Sequence, residues 1–233
     1  MLVLWTGRSD GDRRSPVLAP PAPVPAGHPV VGLRQVHGDG VVVVRGGSAP
    51  VLPRVPLDGV GEGASEGGDG RPTAYIGDAL VSVGGGVTLT VLTADCAPVA
   101  LGSPGPPGLH AAVHAGWRGL AAGVLDRALD TMRSLGAVDV VAGLGPCIGP
   151  CCYEFEPELA ASVSQQVGAD VAATTGDGRP SLDLRHAVRA RLRAHGVPLA
   201  VRVDRCTACS PGYYSHRARG DEARQAMFVW RAA

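Results

Sequence analysis

The chain contains no lysine: all 21 of its basic residues are arginine. Without lysine a protein cannot form a Schiff base with pyridoxal phosphate or with a carbonyl substrate. It also cannot supply the lysine of a phosphate-binding P-loop. Two large classes of enzyme are therefore excluded by composition alone.

Net charge and long apolar runs are missing as well. The 21 arginines are balanced by 21 acidic residues, so no bulk charge attracts nucleic acid or an anionic membrane, and we expect neither as a partner. No apolar run reaches the roughly 18 residues of a membrane span, and MLVLW is followed at once by a polar segment where an export signal would continue. We therefore expect a cytoplasmic protein whose six cysteines are thiols or metal ligands instead of disulfides.

The 233 residues, 45% of them hydrophobic, fit one large domain spanning 1–233. Proline predicts an irregular N-terminal segment at about 8–29, and glycine, proline and serine predict a long loop at about 46–72. Apolar runs at 30–36 and 40–45 predict a hairpin. Further runs predict strands at about 73–83, 87–93, 97–101, 109–113, 138–144, 199–205 and 225–231.

Helical periodicity is strongest at 119–135, and further helices are predicted from Pro157 to Gly168 and from Asp183 to His195. Helices and strands are interleaved, yet several strands follow one another directly. This order favours an α+β fold of mixed β-sheets flanked by helices, a layered α/β sandwich, over a doubly wound parallel sheet.

Three apolar runs each end in a soft or borderline metal ligand: His37, Cys96 and His114. Two imidazoles and a thiolate at three strand ends would give a three-ligand site with an open fourth position, which is the usual form of catalytic zinc. A single copper ion could also bind such a set of nitrogen and sulfur ligands.

The segments around these residues carry a family resemblance. They are RQVHG at 34–38, TADCAPV at 93–99, HAGWRGLAAGVL at 114–125 and GPCIGPCCYEF at 145–155. From about Gln35 to the C-terminus the chain resembles the family known variously as multicopper polyphenol oxidase (laccase domain), peptidoglycan editing factor and purine nucleoside phosphorylase. Its N-terminal segment departs from the family, whose members carry asparagine-containing motifs there, because this chain has no asparagine.

The resemblance implies that His37, Cys96 and His114 bind zinc and are catalytic. It implies phosphorolysis of adenosine, inosine, guanosine and methylthioadenosine, and also deamination of adenosine. The partners would then be a small nucleoside and phosphate, and we expect a monomer or a homodimer.

Arg118 stands in the AGWRG segment that opens the predicted helix after His114. The free N–H groups of that helix, together with Arg118, could bind a phosphate anion. Alternatively, Arg118 pairs with a surface carboxylate. Asp95 either orients a ligand and exchanges protons with it, or turns away to cap a neighbouring loop.

Other positions match the family segments. We expect the substrate to contact Gln35, Asp95, Arg118, Cys147, Ser215 and Arg217. Asp78, Ser215 and Arg217 match the family segments, and a structural role is the alternative for these three. The remaining cysteines allow a structural site of four thiolates, built from Cys147, Cys151 and Cys152 with the CxxC at 206–209. Since one of the spacings is CxxxC, we expect instead that Cys147 lines the pocket and the others pack locally.

Three alternatives to a metal-dependent phosphorylase use the same residues. Cys96 as nucleophile and His114 as base would make a cysteine hydrolase, for example an amidase acting on peptidoglycan precursors. A non-catalytic metal-binding protein is a second alternative. A multicopper oxidase is the least favoured, because four coppers need more imidazoles than the seven histidines of the chain supply.

Overall fold

The computed structural model describes residues 1–11, 24–25, 27–45 and 75–231. The predicted loop at 46–72 and most of the predicted irregular segment at 8–29 lie outside these residues. The strands are β1 Leu2–Trp5, β2 Val30–Val31, β3 Leu33–Arg34, β4 Val41–Arg45, β5 Tyr75–Ile76, β6 Ala79–Val83, β7 Thr88–Thr93, β8 Ala97–Gly102, β9 Leu109–Ala115, β10 Val141–Leu144, β11 Ala172–Thr174, β12 Pro180–Leu182, β13 Leu199–Arg202 and β14 Gln225–Trp230.

The helices are α1 Trp117–Ala122, α2 Val124–Ser134, α3 Pro157–Val167, α4 Leu184–Ala194 and α5 His216–Arg219, with 3-10 turns at Arg8–Asp10 and Pro150–Cys152. Within the described ranges, every helix is too short or too polar to cross a bilayer.

The strands form two main sheets. The larger has the order β13-β10-β8-β9-β6-β4, and the smaller has the order β1-β14-β7-β2. The larger sheet is mixed, because β4 pairs with β6 in parallel and β6 pairs with β9 antiparallel. The pairs β3-β5 and β11-β12 form two short additional sheets. The predicted α+β fold with mixed sheets and flanking helices is confirmed.

The six-stranded sheet is the middle layer of three. Alternate side chains of a strand point to opposite faces, so the sheet has a helix-facing set and a sheet-facing set. Val43, Val81 and Val99 belong to the core shared with α1 to α4. Val42 and Leu80 belong to the core shared with the four-stranded sheet. Burial on both faces explains why these strands are apolar without alternation.

Two predictions are wrong. Residues 30–36 and 40–45 do not form a hairpin: β2 joins β7 in the smaller sheet, whereas β4 joins β6 in the larger one. The predicted helix at 119–135 is two helices, because Gly123 adopts a left-handed conformation with φ of 89° that ends α1 before α2 begins.

One edge of the six-stranded sheet collects the chemically interesting residues. The antiparallel pair of β8 and β9 places Pro98 opposite His114, so Cys96, just before β8, lies near the end of β9. Asp78 directly precedes β6, whose first residue, Ala79, is paired with Val113 near the end of β9. The loop containing His37 leads into β4 at the same edge. Topology thus brings together residues far apart in sequence.

Candidate active site and metal centre

His37, Cys96 and His114 converge at this edge and are called the three-ligand site below. One potential ligand atom from each residue lies within 4.8 Å of the others. The two imidazole rings meet edge to face, with centroids 4.8 Å apart and an interplanar angle of 79°. His114 is buried, Cys96 is partly buried and His37 is exposed, so the site is closed on the sheet side and open toward solvent at His37.

Asp78 holds both imidazole-bearing segments from beneath. Its carboxylate is fully buried, with a relative exposure of 0%, and lies 2.8 Å from Nδ1 of His114. It also accepts hydrogen bonds from the backbone N–H groups of Val36, His37 and Gly38, at 3.3, 3.0 and 2.7 Å. A proton held on Nδ1 of His114 leaves Nε2 free as a ligand or base, as in the carboxylate–histidine–metal arrangement.

The thiol of Cys96 is poised to ionise. Burial alone would raise its pKa, but His114, and after it His37, outweigh burial and lower the pKa to about 6. For His114, burial has the opposite effect and would lower the pKa. The Cys96 thiolate and the hydrogen bond to Asp78 outweigh burial and raise the pKa of His114 to about 9. At neutral pH the two groups therefore form a thiolate–imidazolium pair.

The donor set fits a single metal ion. A thiolate and two imidazoles with a free approach at His37 are the ligands of an open zinc centre. The pKa of the Asp78 carboxyl is held below its usual value, because hydrogen bonds from His114 and the 36–38 backbone outweigh burial. This negative charge behind His114 favours a cation in front of it.

The backbone around the site is tightly constrained. His37 adopts φ of 61° and Asp95 adopts φ of 100°, a region that residues other than glycine rarely occupy and that is common at functional sites. Gly116 lies directly over the ligands: a Cβ there would stand 3.1 Å from both Sγ of Cys96 and Cδ2 of His37. The absence of that Cβ is what allows the loop after β9 to pass so close.

Asp95 and Ser215 bind neighbouring loops through their side chains. The Asp95 carboxylate accepts the Thr207 hydroxyl at 2.6 Å and the backbone N–H of Arg217 at 2.7 Å. The Ser215 hydroxyl is buried and accepts the N–H of Ala218, capping α5. The sequence predicts two roles for Asp95, and these contacts correspond to the one in which it caps a neighbouring loop. Contact of either residue with a substrate stays a prediction.

Gln35 and Cys147 are also held by internal contacts. The Gln35 amide pairs with both backbone groups of Leu92 at 2.8 Å, which fixes the loop before His37 to β7. Cys147 is fully buried in the helix-facing core, where burial raises the pKa of its thiol to about 12. Substrate contacts of these two residues are untested predictions.

Two guanidinium groups and a tyrosine surround the open side. Arg118 is exposed and stacks 4.3 Å over the ring of Trp117, and Arg217 lies 4.9 Å over the ring of Tyr153. Burial raises the pKa of the Tyr153 hydroxyl, and the charge of Cys96 raises it further, while Arg217 and Arg118 lower it. Tyr153 is thus within electrostatic reach of all three. The CCYEF segment contains it, but nothing in its spacing singled it out.

Known proteins identify the family of this chain. Residues 14–232 match the model of the family described as multi-copper polyphenol oxidoreductase laccase. The chain belongs to that family. The match begins further upstream than the segments around Gln35 indicated.

Named relatives point to one activity. Purine nucleoside phosphorylase SCO2081 of Streptomyces coelicolor is 38% identical over 205 residues, which cover 86% of this chain and 74% of the relative. The purine nucleoside phosphorylase Rv2149c of Mycobacterium tuberculosis is 36% identical over 208 residues, covering 88% and 73%. Relatives with this name suggest that the chain is an enzyme.

Solved structures share the fold. YlmD from Geobacillus stearothermophilus superimposes with a TM-score of 0.67 at 28% identity, covering 88% of this chain and 74% of that one. The Neisseria meningitidis protein NMB0706 also gives a TM-score of 0.67, at 26% identity, covering 89% and 76%.

Proposed function

We propose that this chain is a metal-dependent purine nucleoside phosphorylase whose reaction takes place at the three-ligand site. The observation that carries the proposal is the convergence of His37, Cys96 and His114 within 4.8 Å, in a chain whose relatives are named purine nucleoside phosphorylases. The proposed substrates are adenosine, inosine, guanosine and methylthioadenosine, with adenosine deamination as a second activity. We propose a cytoplasmic monomer or homodimer without nucleic-acid or membrane partners.

Zinc is the ion we propose. A single thiolate and two imidazoles, from two loops and strand β9, match the ligand types of open zinc centres. A lone copper ion is the second choice, since the family description names copper. When bound in such a site, a metal supplies a Lewis acid and can lower the pKa of a bound water.

The residues of the chain supply binding and proton placement. Asp78 keeps the proton of His114 on Nδ1, at 2.8 Å, so that Nε2 faces the ligand position. Arg118, over the ring of Trp117, and Arg217, over the ring of Tyr153, present exposed guanidinium groups. We propose that they bind phosphate on the open side. In phosphorolysis a phosphate oxygen bonds to C1′ of the ribose, the bond to the purine breaks, and the purine takes up a proton.

A second candidate, a cysteine hydrolase, draws on one specific observation. Cys96, His114 and Asp78 are arranged as a nucleophile, a base and an orienting carboxylate, and the pKa of Cys96 is lowered to about 6 mainly by His114, against the effect of burial. This is the arrangement of a metal-free thiol hydrolase, such as an amidase acting on peptidoglycan precursors.

Alkylation of Cys96, followed by peptide mass mapping, separates the two candidates. In a metal site the thiolate is shielded, so we expect Cys96 to resist iodoacetamide at pH 7 until a chelator removes the metal. Nucleoside cleavage should stop with the chelator and return with added zinc. Rapid alkylation of Cys96 in untreated protein, with activity indifferent to chelator, would support the hydrolase and overturn our proposal.

Product analysis tests the phosphate site. Adenosine should yield adenine and ribose 1-phosphate only with phosphate present, and any inosine should form without it. Arg118→Gln should raise the phosphate concentration needed for half-maximal cleavage by about tenfold, because one charge-assisted hydrogen bond is lost. Inosine formation should stay nearly unchanged. Equal losses in both reactions would make Arg118 a purine contact or a structural residue.

A further inference from the structure

Four of the remaining cysteines meet at a second place in the fold. Cys151 and Cys152 lie on the 3-10 turn at 150–152, and Cys206 and Cys209 lie on the turn after β13. All four Sγ atoms are within 4.8 Å of one another. We call this group the four-thiol cluster. It does not include Cys147, so the CxxxC spacing that spoke against a four-thiolate site does not apply.

The distances suit one ion at the centre of the cluster. Sγ of Cys209 lies 3.2 Å from Sγ of Cys152 and 3.6 Å from Sγ of Cys151. In a tetrahedral zinc site with Zn–S bonds of about 2.3 Å, neighbouring sulfurs are about 3.8 Å apart. These two separations are slightly shorter than this value, and the other pairs of sulfurs are at most 4.8 Å apart. Local packing of thiols would not require four of them to share one centre.

Backbone donors around Cys206 give an independent reason. Its Sγ accepts the N–H of Gly149 at 3.2 Å. The backbone of Cys209 and of Ala208 also hydrogen-bonds to this sulfur. N–H groups that converge on a sulfur stabilise a thiolate, the form that binds a metal.

Positive charge beside the cluster can balance four thiolates around one dication. Arg219 donates to the carbonyl groups of Thr207 and Ala208, at 3.1 and 2.9 Å, within the turn that carries the cluster. Nη1 of Arg185 and Sγ of Cys151 both lie 3.3 Å from the point that a Cβ on Gly149 would occupy. One guanidinium group therefore stands close to a sulfur of the cluster, and a second binds the turn that carries Cys206 and Cys209.

We propose that the four-thiol cluster is a second metal site, which binds one Zn²⁺ through Cys151, Cys152, Cys206 and Cys209. The four thiols lose their protons to solvent as four Zn–S bonds form. Four protein ligands leave no open position, so the role is structural. This site is separate from the three-ligand site and from the activity proposed for it.

The ion would join two loops that form one wall of the active site. Thr207, between two of the ligands, donates to Asp95 at 2.6 Å. Tyr153, which follows Cys152, carries Arg217 over its ring. Zinc in the cluster would hold these side chains in place around Cys96 without touching the substrate.

Metal content of the full chain tests the proposal without relying on activity. His37→Ala removes a ligand of the other site, so this variant, produced in zinc-supplemented medium, should retain one zinc per chain. Its X-ray absorption spectrum should show sulfur neighbours alone, at about 2.3 Å. Adding Cys209→Ser should remove that zinc, whereas adding Cys147→Ala, a buried cysteine outside the cluster, should leave it bound.

A thiol titration of the unfolded chain covers the competing outcome. In denaturant with chelator and without reductant, the proposal requires all six thiols to react. Loss of two or more thiols would show a disulfide in the cluster and overturn the metal site. Absence of zinc from His37→Ala with every thiol free, or a spectrum dominated by nitrogen and oxygen, would also overturn it.

Discussion

The three-ligand site and the four-thiol cluster are built in similar ways and serve different purposes. In both, side chains from loops and turns at the ends of strands come together, and His114 of the first lies near the end of β9. The first has three ligands of two kinds and an exposed His37, whereas the second has four ligands of one kind. The number of ligands decides whether a metal keeps a position for a substrate or water.

The charges differ as well. At the three-ligand site the pKa of Cys96 is lowered to about 6, because His114 and His37 outweigh burial. In the cluster, burial and hydrogen bonds with Cys209 and Cys206 raise the pKa of Cys151 to about 11. The first site keeps a thiolate through its own imidazolium, whereas the raised pKa values of Cys151 and Cys152 keep these two thiols protonated at neutral pH until a cation binds. A thiolate that exists without metal suits a reaction centre, and one that needs the metal suits a structural link.

The largest expected effect separates activity from stability. Cys96→Ala should lower kcat/KM for nucleoside cleavage by about a thousandfold or more, as for other members of a catalytic unit, and change Tm little. Cys209→Ala should do the reverse: Tm should fall by about 5 °C or more as a structural ion is lost, with a much smaller loss of activity. Thermal unfolding and steady-state kinetics on both variants check this contrast.

The contrast would break down if both substitutions lowered Tm and activity to the same extent. Cys147→Ala serves as the matched control for Tm, because it removes a buried thiol that belongs to neither group.

The next effect concerns Asp78, the carboxylate behind His114. Asp78→Asn retains the shape but cannot accept four hydrogen bonds with a full negative charge, so zinc affinity at the three-ligand site should fall by about 10- to 100-fold. Competition with a chromogenic chelator measures this. Asp39→Asn, which removes an ion pair with Arg127 only two residues from His37, should leave the affinity unchanged. Equal loss in both variants would mean that Asp78 acts only through general electrostatics.

The convergence of His37, Cys96 and His114 was predictable, because each of these metal-binding residue types ends an apolar run. The layered α+β fold was predictable because alternation, helical periodicity and glycine-rich turns act locally. The partners of strands were not: 30–34 and 41–45 look like a hairpin, yet they belong to different sheets. Pairing depends on contacts with β6 and β7, which local pattern does not encode.

The same limit applies to Asp78 and to the four-thiol cluster. Asp78 is 41 residues from His37 and 36 from His114, and the pairing of β6 with both β4 and β9 brings it beneath both. The cluster was discounted from sequence because Cys147 was counted among its ligands. The vicinal pair Cys151–Cys152 and the CxxC turn meet only because β10 and β13 run in parallel and end at the same edge.

The third prediction uses pH on metal-stripped protein. With its pKa lowered to about 6 by His114 and His37 against burial, the Cys96 thiolate persists above pH 6 and is lost as pH falls below it. The alkylation rate of Cys96 should therefore rise with pH and be half-maximal near 6. In His114→Gln the midpoint should move upward toward the ordinary thiol value, slowing alkylation at pH 7 by about tenfold. An unchanged midpoint would remove His114 as the cause and weaken the contrast with Cys151.

The smallest effect is expected at Gly116, where backbone passes over the three-ligand site. Its φ of −76° is accessible to any residue, so Gly116→Ala should disturb contacts and not backbone conformation. The new Cβ would stand 3.1 Å from both Sγ of Cys96 and Cδ2 of His37, and these must move by a few tenths of an ångström. We expect zinc affinity to fall by less than about tenfold and stability by about 1 kcal/mol. Gly85→Ala, whose Cβ meets nothing within 4 Å, is the control. Loss of stability with unchanged zinc affinity in Gly116→Ala would mean that the loop after β9 matters for packing alone. The close approach of its backbone to His37 and Cys96 would then not distinguish the three-ligand site from the four-thiol cluster.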